Sequence, residues 1–375
     1  MKEESHDNDK GVSFIGFLWL LACGLYITRI TAISPVYLVF ILALMLAILT
    51  NVNCGKYKVS VFTLLSLIIL LLSIFLFFNS QIPLVINLLI VLLSPMLVDS
   101  YYKRRYITKQ NLLNVFLFYS LVFILDGFWR IKHPYLEHVD KLEELGIGFQ
   151  IYKVNSFMYS DSNFVGLEAV FILSCFLYMF KSVRRTGLLR IKYFFVFCAL
   201  FFGVLLTFSR AAIIAMILLF IFFILMRSKF IKTVSYMLAP VLLVVFSWFI
   251  YKRFTDDISF ESKFNLIRYT LEYIKDSDSD IDMILLGVGL GNAVEVIGMG
   301  AHNLFLTFLI ETGVIGLLLF LVLLCIMWFY LKEDAIIIML PFLIASMSLG
   351  TTAIPYFFTF TWLCILYKRK LFDVV

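Results

Sequence analysis

A histidine at the start of an apolar run is the first residue of this sequence that suggests chemistry. His302 and Asn303 follow a flexible, glycine-rich stretch and precede a long apolar helix. The backbone amides at a helix N-terminus carry partial positive charge, which disfavours an imidazolium and keeps His302 neutral. A neutral imidazole can take a proton from a hydroxyl group. The position predicts a general base, and the alternative is a residue that caps its helix.

Glu311 lies within the apolar run that follows His302. An ionisable side chain inside a membrane helix is costly, which makes it a functional candidate by default. Its alternative role is to bind polar backbone groups between helices. Gly313 and Gly316 follow it, and their small size predicts close packing against a neighbouring helix.

Arg210 is the one charged residue between Phe194 and Met226. At the centre of a membrane helix an arginine costs about 2.5–3.5 kcal/mol even on a lenient scale. The apolar run is, however, much longer than the roughly 20 residues that one crossing needs. We therefore predict two short helices joined by a tight turn at "FSRA" (Phe208–Ala211), with Arg210 near the outer membrane interface. There its guanidinium can hold a reacting anion or anchor ordinary lipid headgroups.

The elements that position these residues must be membrane helices. Of the 375 residues, 62% are hydrophobic and 15% are charged, whereas soluble domains are about 25% charged. The composition predicts an all-α polytopic membrane protein with about 12 transmembrane helices. The predicted spans are Val12–Ile30, Pro35–Thr50, Val59–Phe78, Ile82–Val98, Asn111–Phe128, Asn163–Phe180, Tyr193–Phe208, Ala211–Met226, Val234–Ile250, His302–Tyr330, Ala335–Leu349 and Ala353–Leu366.

The net charge of +6 comes mostly from short basic connectors between apolar runs. Positive connectors face the cytoplasm, and one topology satisfies all of them, with both termini cytoplasmic. The basic residues are then an orientation signal, and we expect no nucleic-acid partner. The connectors are Gly55–Lys58, Tyr101–Lys109, Lys181–Lys192, Arg227–Lys232 and Tyr367–Lys370.

Two external loops, at about 129–162 and 251–301, exceed the usual connector length. Within the second, apolar residues recur at spacings of three and four over Glu261–Asp276, which predicts an amphipathic helix near the membrane surface. Its apolar stripe would consist of Phe264, Ile267, Leu271 and Ile274. We find no linker that separates a soluble domain, so residues 1–375 are expected to form a single integral membrane domain.

Four stretches, taken in order, resemble the signature of the O-antigen polymerase (Wzy) and O-antigen ligase superfamily. They are "TFSRAAIIA" (Thr207–Ala215), "RYTLEYI" (Arg268–Ile274), "LLGVGLGN" (Leu285–Asn292) and "AHNLFLTFLIETGVIG" (Ala301–Gly316). The resemblance covers about residues 193–330. A further segment, "YSDSNFVG" (Tyr159–Gly166), is similar to the D-x-N segment of the family, with serine at 162 where proline is common.

This resemblance implies a GT-C-like glycosyltransferase of lipopolysaccharide biosynthesis in the bacterial cytoplasmic (inner) membrane. Its active site and its two enlarged loops would face the periplasm. Such enzymes take oligosaccharides linked to undecaprenyl pyrophosphate as donor and acceptor. A chain-length regulator protein is a plausible further partner, beside the membrane lipids.

The resemblance also implies roles for single residues. Arg210 and Arg268 match the arginines of the family and would bind the leaving pyrophosphate, because a guanidinium matches phosphate in bidentate geometry. His302 would deprotonate or orient the attacking hydroxyl. Asn303, Glu311, Asp161 and Asn163 are supporting candidates. Arg268 also has an alternative interpretation, as part of the solvated face of a loop helix.

We expect no metal and no cofactor. His133 and His138 have no cysteine partner at a zinc-site spacing. "DSDSDID" (Asp276–Asp282) lacks the glycine and glutamate that a calcium loop requires at its sixth and twelfth positions. It is expected to be a solvated acidic turn.

The motifs do not separate a polymerase from a ligase, which transfers finished polymer to lipid A–core. The absence of an added soluble domain favours the polymerase. A peptidoglycan polymerase of the shape and division family would have an acidic residue near Asn303, and none is present. A flippase or transporter would place charges along a central path between inverted repeats, whereas the candidate charges here lie on one side.

Overall fold

The structure is a computed structural model that describes residues 14–27, 30, 31, 33–54, 68, 80–102, 109–137, 148–159, 161–181, 187–226, 258–276, 281–298, 303–347 and 354–369. These residues form helices and turns, with one isolated β-bridge between Val154 and Asp161 and no strand among them. The prediction of an all-α fold is confirmed for this part of the chain.

Fourteen α-helices are described, numbered here in chain order. They are α1 (14–22), α2 (Pro35–Cys54), α3 (Ile82–Tyr102), α4 (Lys109–Lys132), α5 (Ser162–Phe180), α6 (Gly187–Leu206), α7 (Arg210–Leu225), α8 (Ile258–Asp276), α9 (Ile281–Leu286), α10 (Ala293–Ile297), α11 (Leu304–Leu331), α12 (Ala335–Ile338), α13 (Leu340–Ser346) and α14 (Pro355–Lys368). Short 3-10 helices cover Gly148–Tyr152 and Lys332–Asp334.

Several of these helices are apolar around their whole circumference, as expected for helices surrounded by lipid or by other helices. Within the described residues, four helical segments are long and apolar enough to cross a membrane: Ile82–Tyr101, Gln110–Lys132, Ser162–Phe180 and Leu304–Ile338. This indicates a membrane protein. The total of about 12 crossings stays a prediction.

Most of the predicted spans contain a helix where their residues are described, but in Val12–Ile30 the helix ends at residue 22, and residues 23–27 are not helical. Val234–Ile250 lies outside the described residues, as does Val59–Phe78 apart from Ile68. The span predicted at Ala335–Leu349 is interrupted, because it divides into α12 and α13 at Met339. Pro341 follows this division, and its missing N–H removes one hydrogen bond of a continuous helix.

Helix α5 is the central element of the bundle. Nearly all of its residues are buried, and α4, α6, α7, α13 and α14 pack around it. Aromatic side chains fill these contacts, with ring centroids 5.1 Å apart for Phe171 and Phe357 and 4.7 Å apart for Phe176 and Tyr193. Its 19 residues extend about 28 Å, at about 1.5 Å per residue. The two ends of α5 are therefore separate environments.

At one end of α5, residues from two of the basic connectors lie close together. Lys181, which follows α5, lies 2.7 Å from Asp334 through its Nζ atom, and Lys368 at the end of α14 lies 2.8 Å from the same carboxylate. All three side chains are partly exposed. The opposite end of α5 begins at Asp161 and meets the first long loop and the turn between α6 and α7.

The helix predicted in the second long loop is confirmed as α8, which begins at Ile258. Its exposed face differs in part from the predicted stripe. Leu266 and Thr270 are buried, whereas Ile267 and Leu271 are 43% and 61% exposed. The reason is that α8 packs through Leu266 against α10 and α11. The contacting face is thus one residue away from the stripe that periodicity alone selects.

Candidate functional site

The predicted turn at "FSRA" is confirmed between α6, which ends at Leu206, and α7, which begins at Arg210. Ser209 is the N-cap of α7, and its side chain accepts a hydrogen bond from the Ala212 amide. Arg210 is exposed at the first helical position. The turn is strained, because Phe208 has a φ of 53°, which costs a residue with a Cβ about 1–2 kcal/mol.

The start of α5 supports this turn directly. Ser162 Oγ donates to the carbonyl oxygen of Thr207 over 2.8 Å. At Gly166 an added Cβ would lie 2.8 Å from Ala212 Cβ and 3.0 Å from Ser209 Cβ. The glycine therefore allows α5 to approach the first turn of α7. The structure in this way brings the D-x-N segment and Arg210 to the same end of the bundle.

Asp161 and Asn163 have a local structural role. Asp161 is the N-cap of α5, and its carboxylate accepts from the Asn163 amide at 2.8 Å and from Asn163 Nδ2 at 3.0 Å. A carboxylate at this position also interacts favourably with the helix dipole. The pair fixes where α5 begins, and thereby where Ser162 meets the turn.

A buried ion pair beside the turn was not anticipated from the sequence. Arg130 and Asp126 lie one helical turn apart near the end of α4, and both side chains are fully buried. Arg130 Nε donates to Asp126 Oδ2 over 2.8 Å. Its other two nitrogens donate to backbone carbonyls, Nη1 to Tyr152 at 2.8 Å and Nη2 to Leu206 at 3.0 Å. The pair therefore joins α4, the first long loop and the end of α6.

The same loop is fastened at Ser156 and Tyr159. Ser156 Oγ donates to Asp126 Oδ1 over 2.6 Å, and the Phe157 amide donates to the same oxygen over 3.0 Å. Tyr159 donates its hydroxyl to Glu168 Oε2 in α5 over 3.0 Å. Burial, followed by the charge of Glu168, raises the pKa of Tyr159 well above its usual range. Tyr159 therefore stays protonated and is the donor of this hydrogen bond.

Glu168 is a second fully buried acid that the sequence reasoning missed. It lies against the chain just after α1, where an added Cβ at Gly24 would be 1.8 Å from Glu168 Oε1. No described residue hydrogen-bonds this oxygen. The signals were available, since Glu168 is a lone acid in a predicted span and Asp126 and Arg130 have the i, i+4 spacing of a helical ion pair.

The glycine-rich segment before α11 is hydrogen-bonded, in contrast to the flexible stretch expected for it. Gly287, Gly289 and Gly291 have φ values of 83°, 97° and 90°, which glycine adopts without steric cost. On one side the segment binds residues before α3, where the Gln81 amide donates to the Leu290 carbonyl over 2.9 Å and the Leu290 amide donates to Ser80 Oγ over 2.9 Å. On the other side it enters a break in α11.

That break lies at Gly313, whose φ of 66° and ψ of −173° are not helical. The carbonyls of Ile310 and Glu311 accept from the amides of Val288 and Gly289, at 3.0 and 3.1 Å. The glycine segment thus supplies donors to carbonyls that precede the break. The predicted close approach at Gly313 is to this backbone, since an added Cβ would lie 2.3 Å from the Leu285 oxygen. Gly316 instead faces the side chain of Thr312 in its own helix.

Asn303 and Glu311 lie on either side of this arrangement. Asn303 caps α11, accepting from the Phe305 and Leu306 amides at 2.9 and 3.2 Å, and its Nδ2 donates to the Met347 carbonyl at the end of α13. Glu311 is buried, and its carboxyl group is hydrogen-bonded by the backbone of Gly291. The contacts of Glu311 match the alternative interpretation, in which it binds polar backbone.

Arg268 lies on the exposed face of α8. Its side chain is 63% exposed, pairs with Glu272 over 3.4 Å and lies 5.3 Å from the centre of the Tyr269 ring. Helix α8 contacts α11 near Ile310. Arg268 is therefore on a helix that packs against α11, the helix of Asn303 and Glu311. Asp161 and Asn163 are instead at the start of α5, next to the turn that precedes Arg210. Helix α13 connects the two groups, because it packs against α7 and is hydrogen-bonded to Asn303 after its last turn.

His302 lies outside the described residues, so its role as a base stays a prediction. Its neighbour Asn303 has the capping function that was the alternative for the histidine.

The comparison with known families bears on this region of the chain. Residues 194–321 match the family model described as O-antigen ligase, and no curated protein matches the chain. The matched range includes the turn with Arg210, helix α8 with Arg268, the glycine segment and the break in α11. Residues 194–321 are therefore similar to the O-antigen ligase family, in agreement with the resemblance that the sequence motifs indicated.

Proposed function

We propose that the chain is a polysaccharide polymerase that joins undecaprenyl-pyrophosphate-linked repeat units on the outer side of the bacterial inner membrane. It would act as a single integral membrane domain of residues 1–375 with both termini cytoplasmic. Arg210 and Arg268 bind the leaving pyrophosphate, and His302 accepts the proton of the attacking hydroxyl. The reaction needs no metal and no cofactor, because arginine carries the charge compensation.

The observation that carries this proposal is the position of Arg210. It is exposed at the first position of an apolar helix, at the end of α5 opposite to the basic cluster of Lys181 and Lys368. If that cluster is cytoplasmic, as the positive-inside rule indicates, Arg210 is on the outer side. A guanidinium and the amides of a helix N-terminus together suit a phosphate. Positive charge at the leaving group lowers the barrier to transfer.

Arg268 requires one rearrangement in this mechanism. Its ion pair with Glu272 is exposed, and exposed pairs are worth only about 0.2–1 kcal/mol. A pyrophosphate can therefore replace the carboxylate as its partner at low cost. The Arg268 side chain can therefore be a second contact for the ligand after it exchanges its partner, whereas Arg210 lies at a turn with many contacts.

Reconstitution of the purified chain with lipid-linked repeat units tests the proposal. Arg210→Ala should reduce chain growth at least about a hundredfold, as loss of a transition-state donor does, and His302→Ala about 10²- to 10⁴-fold. Arg210→Lys should recover little, because an ammonium lacks the planar fork. Arg190→Ala is the matched control, since Arg190 is an exposed arginine in the first turn of α6 at the other end of that helix. Full activity of Arg210→Ala would refute the pyrophosphate assignment, and full activity of His302→Ala would refute the base.

The second candidate is the ligase, which the description of the matching family favours. Glycan profiling of a deletion strain separates the two functions. Loss of a polymerase leaves lipopolysaccharide with single repeats, whereas loss of a ligase leaves none and lets lipid-linked polymer accumulate. The residues assigned above would serve both reactions.

A further inference from the structure

Arg130 is fully buried, and each nitrogen of its guanidinium donates a hydrogen bond. Its Nε, Nη1 and Nη2 atoms each donate a hydrogen bond of 2.8–3.0 Å, to Asp126, to the Tyr152 carbonyl and to the Leu206 carbonyl respectively. Because the side chain is fully buried and each of its three nitrogens already has an acceptor within the protein, Arg130 is not placed to bind a ligand directly. Any effect of Arg130 on catalysis must therefore act through the segments that it holds.

One of those segments leads into the turn that carries Arg210. Leu206 is the last residue of α6, and Thr207, Phe208 and Ser209 form the turn before α7. Helices α4 and α6 are close at this point, because an added Cβ at Gly127 would lie 2.8 Å from Leu206 Cβ. This approach brings the Leu206 carbonyl to the guanidinium. Arg130 therefore fixes the backbone immediately before the turn.

The other segment reaches the turn from the first long loop. The Tyr152 carbonyl accepts from Arg130, and the Tyr152 ring lies 5.8 Å from the Phe208 ring between centroids. Asp126 holds the continuation of this loop through Ser156 and Phe157. Phe208 is thus supported both by the backbone at Leu206 and by the aromatic ring at Tyr152.

The turn needs that support because its conformation is unfavourable by itself. Phe208 has a positive φ without being glycine, and such residues persist only where their surroundings over-determine them. Strained backbone of this kind occurs frequently at functional sites. Here the strained residue is two positions before Arg210, which the turn presents at the start of α7.

We propose that Arg130 is a positioning residue that, with Asp126, holds the Phe208 turn in the conformation that presents Arg210 to the pyrophosphate. This inference rests on the proposed function of Arg210. The first long loop then also has a role in the reaction, because its Tyr152 carbonyl is one of the three acceptors that the Arg130 guanidinium binds.

A double-mutant cycle on the full-length chain in detergent tests the inference, with farnesyl pyrophosphate as a soluble probe. Arg130→Lys keeps the charge next to Asp126 but cannot reach both carbonyls. We expect it to weaken probe binding about tenfold, which is the change that about 1.4 kcal/mol represents. In an Arg210→Ala background the same substitution should change binding by less than about twofold, because residues that act as one unit are not additive. Thermal unfolding of each variant checks that it is folded.

The outcomes are distinguishable. If Arg210→Ala binds the probe like the unmodified chain, the proposed function of Arg210 fails. If Arg210→Ala weakens binding but Arg130→Lys does not, or if the two losses multiply, the inference fails and the function stands. Asp334→Asn, at the other end of α5, is the control and should leave binding unchanged.

A second variant keeps the test decisive if Arg130→Lys does not fold. Phe208→Ala keeps the unfavourable positive φ and removes the Tyr152 ring contact without changing either residue of the buried pair. It should weaken probe binding about three- to tenfold in the presence of Arg210 and have no further effect in its absence. Unchanged binding in Phe208→Ala would overturn the inference by itself.

Discussion

The two ends of α5 contain the same chemical groups, a carboxylate and cationic side chains, in opposite environments. At the Asp161 end, Asp126 and Arg130 are fully buried, and the guanidinium also binds two backbone carbonyls. At the other end, Asp334 pairs with Lys181 and Lys368, and all three side chains contact solvent in part. The first arrangement joins three separate segments of backbone, whereas the second joins mainly side chains at helix ends.

The difference shows which end of α5 has a closely specified geometry. A buried ion pair seldom adds net stability over an apolar pair, but it strongly penalises any arrangement that leaves one partner alone. An exposed pair tolerates such rearrangement. The end of α5 that carries Arg210 is therefore geometrically specified, and the basic end is suited to setting orientation through its charge.

The largest expected effect comes from breaking the buried pair. Arg130→Met should lower the free energy of unfolding by about 3–5 kcal/mol, because Asp126 then stays buried without a partner. Unfolding of the purified chain in mixed detergent micelles measures this. The double variant Asp126→Leu with Arg130→Met should regain part of the loss, since no unpaired charge remains. A loss below about 1 kcal/mol in Arg130→Met would contradict the buried assignment.

An intermediate effect is expected at Ser156. Ser156→Ala removes one of the two neutral donors to Asp126 Oδ1 and the acceptor for the Met158 and Tyr159 amides. The expected loss is about 1.5–3 kcal/mol, the range for hydrogen bonds to charged groups. Ser120→Ala is the control on α4, because among the described residues that hydroxyl bonds only to the Leu117 carbonyl of its own helix. Equal losses in both variants would show that Asp126 does not depend on the loop.

The smallest effect is expected at the basic end. Asp334→Asn should change stability by no more than about 1 kcal/mol, because the pair is partly exposed and screened by water. Added salt should reduce the difference further. Unfolding measured at low and high ionic strength checks both statements, and a loss as large as that of Arg130→Met would erase the contrast between the two ends.

The helices were predictable because the apolar composition decides them locally. The break between α6 and α7 followed from the length of the run and the position of Arg210, and α8 followed from its periodicity. The site was predictable only as a set of separate motifs. Neither spacing nor composition indicates that Arg130 reaches Tyr152 and Leu206, since burial depends on which distant segments meet.

The structural role of the glycines in the second loop also could not be predicted from local sequence. Their positions were part of the sequence pattern, and flexibility was the natural expectation. Their alternating positive φ values serve instead to place amides against the broken helix α11. That purpose depends on Gly313, a residue more than twenty positions later, whose conformation no local pattern reveals.

The inserted glycine segment makes part of the large second loop behave as an integral piece of the helix bundle. The amide protons of Val288, Gly289 and Leu290 belong to a loop by sequence, yet each is donated to a named acceptor. They should exchange with solvent slowly, like those of a core helix. A one-residue shift of the chain between Gly287 and Gly291 is disfavoured, because a Cβ at position 287 would lie 2.5 Å from the backbone of Glu311 and a Cβ at position 291 would lie 2.6 Å from the Gln81 side chain. Insertions that enlarge this loop are therefore expected outside that segment.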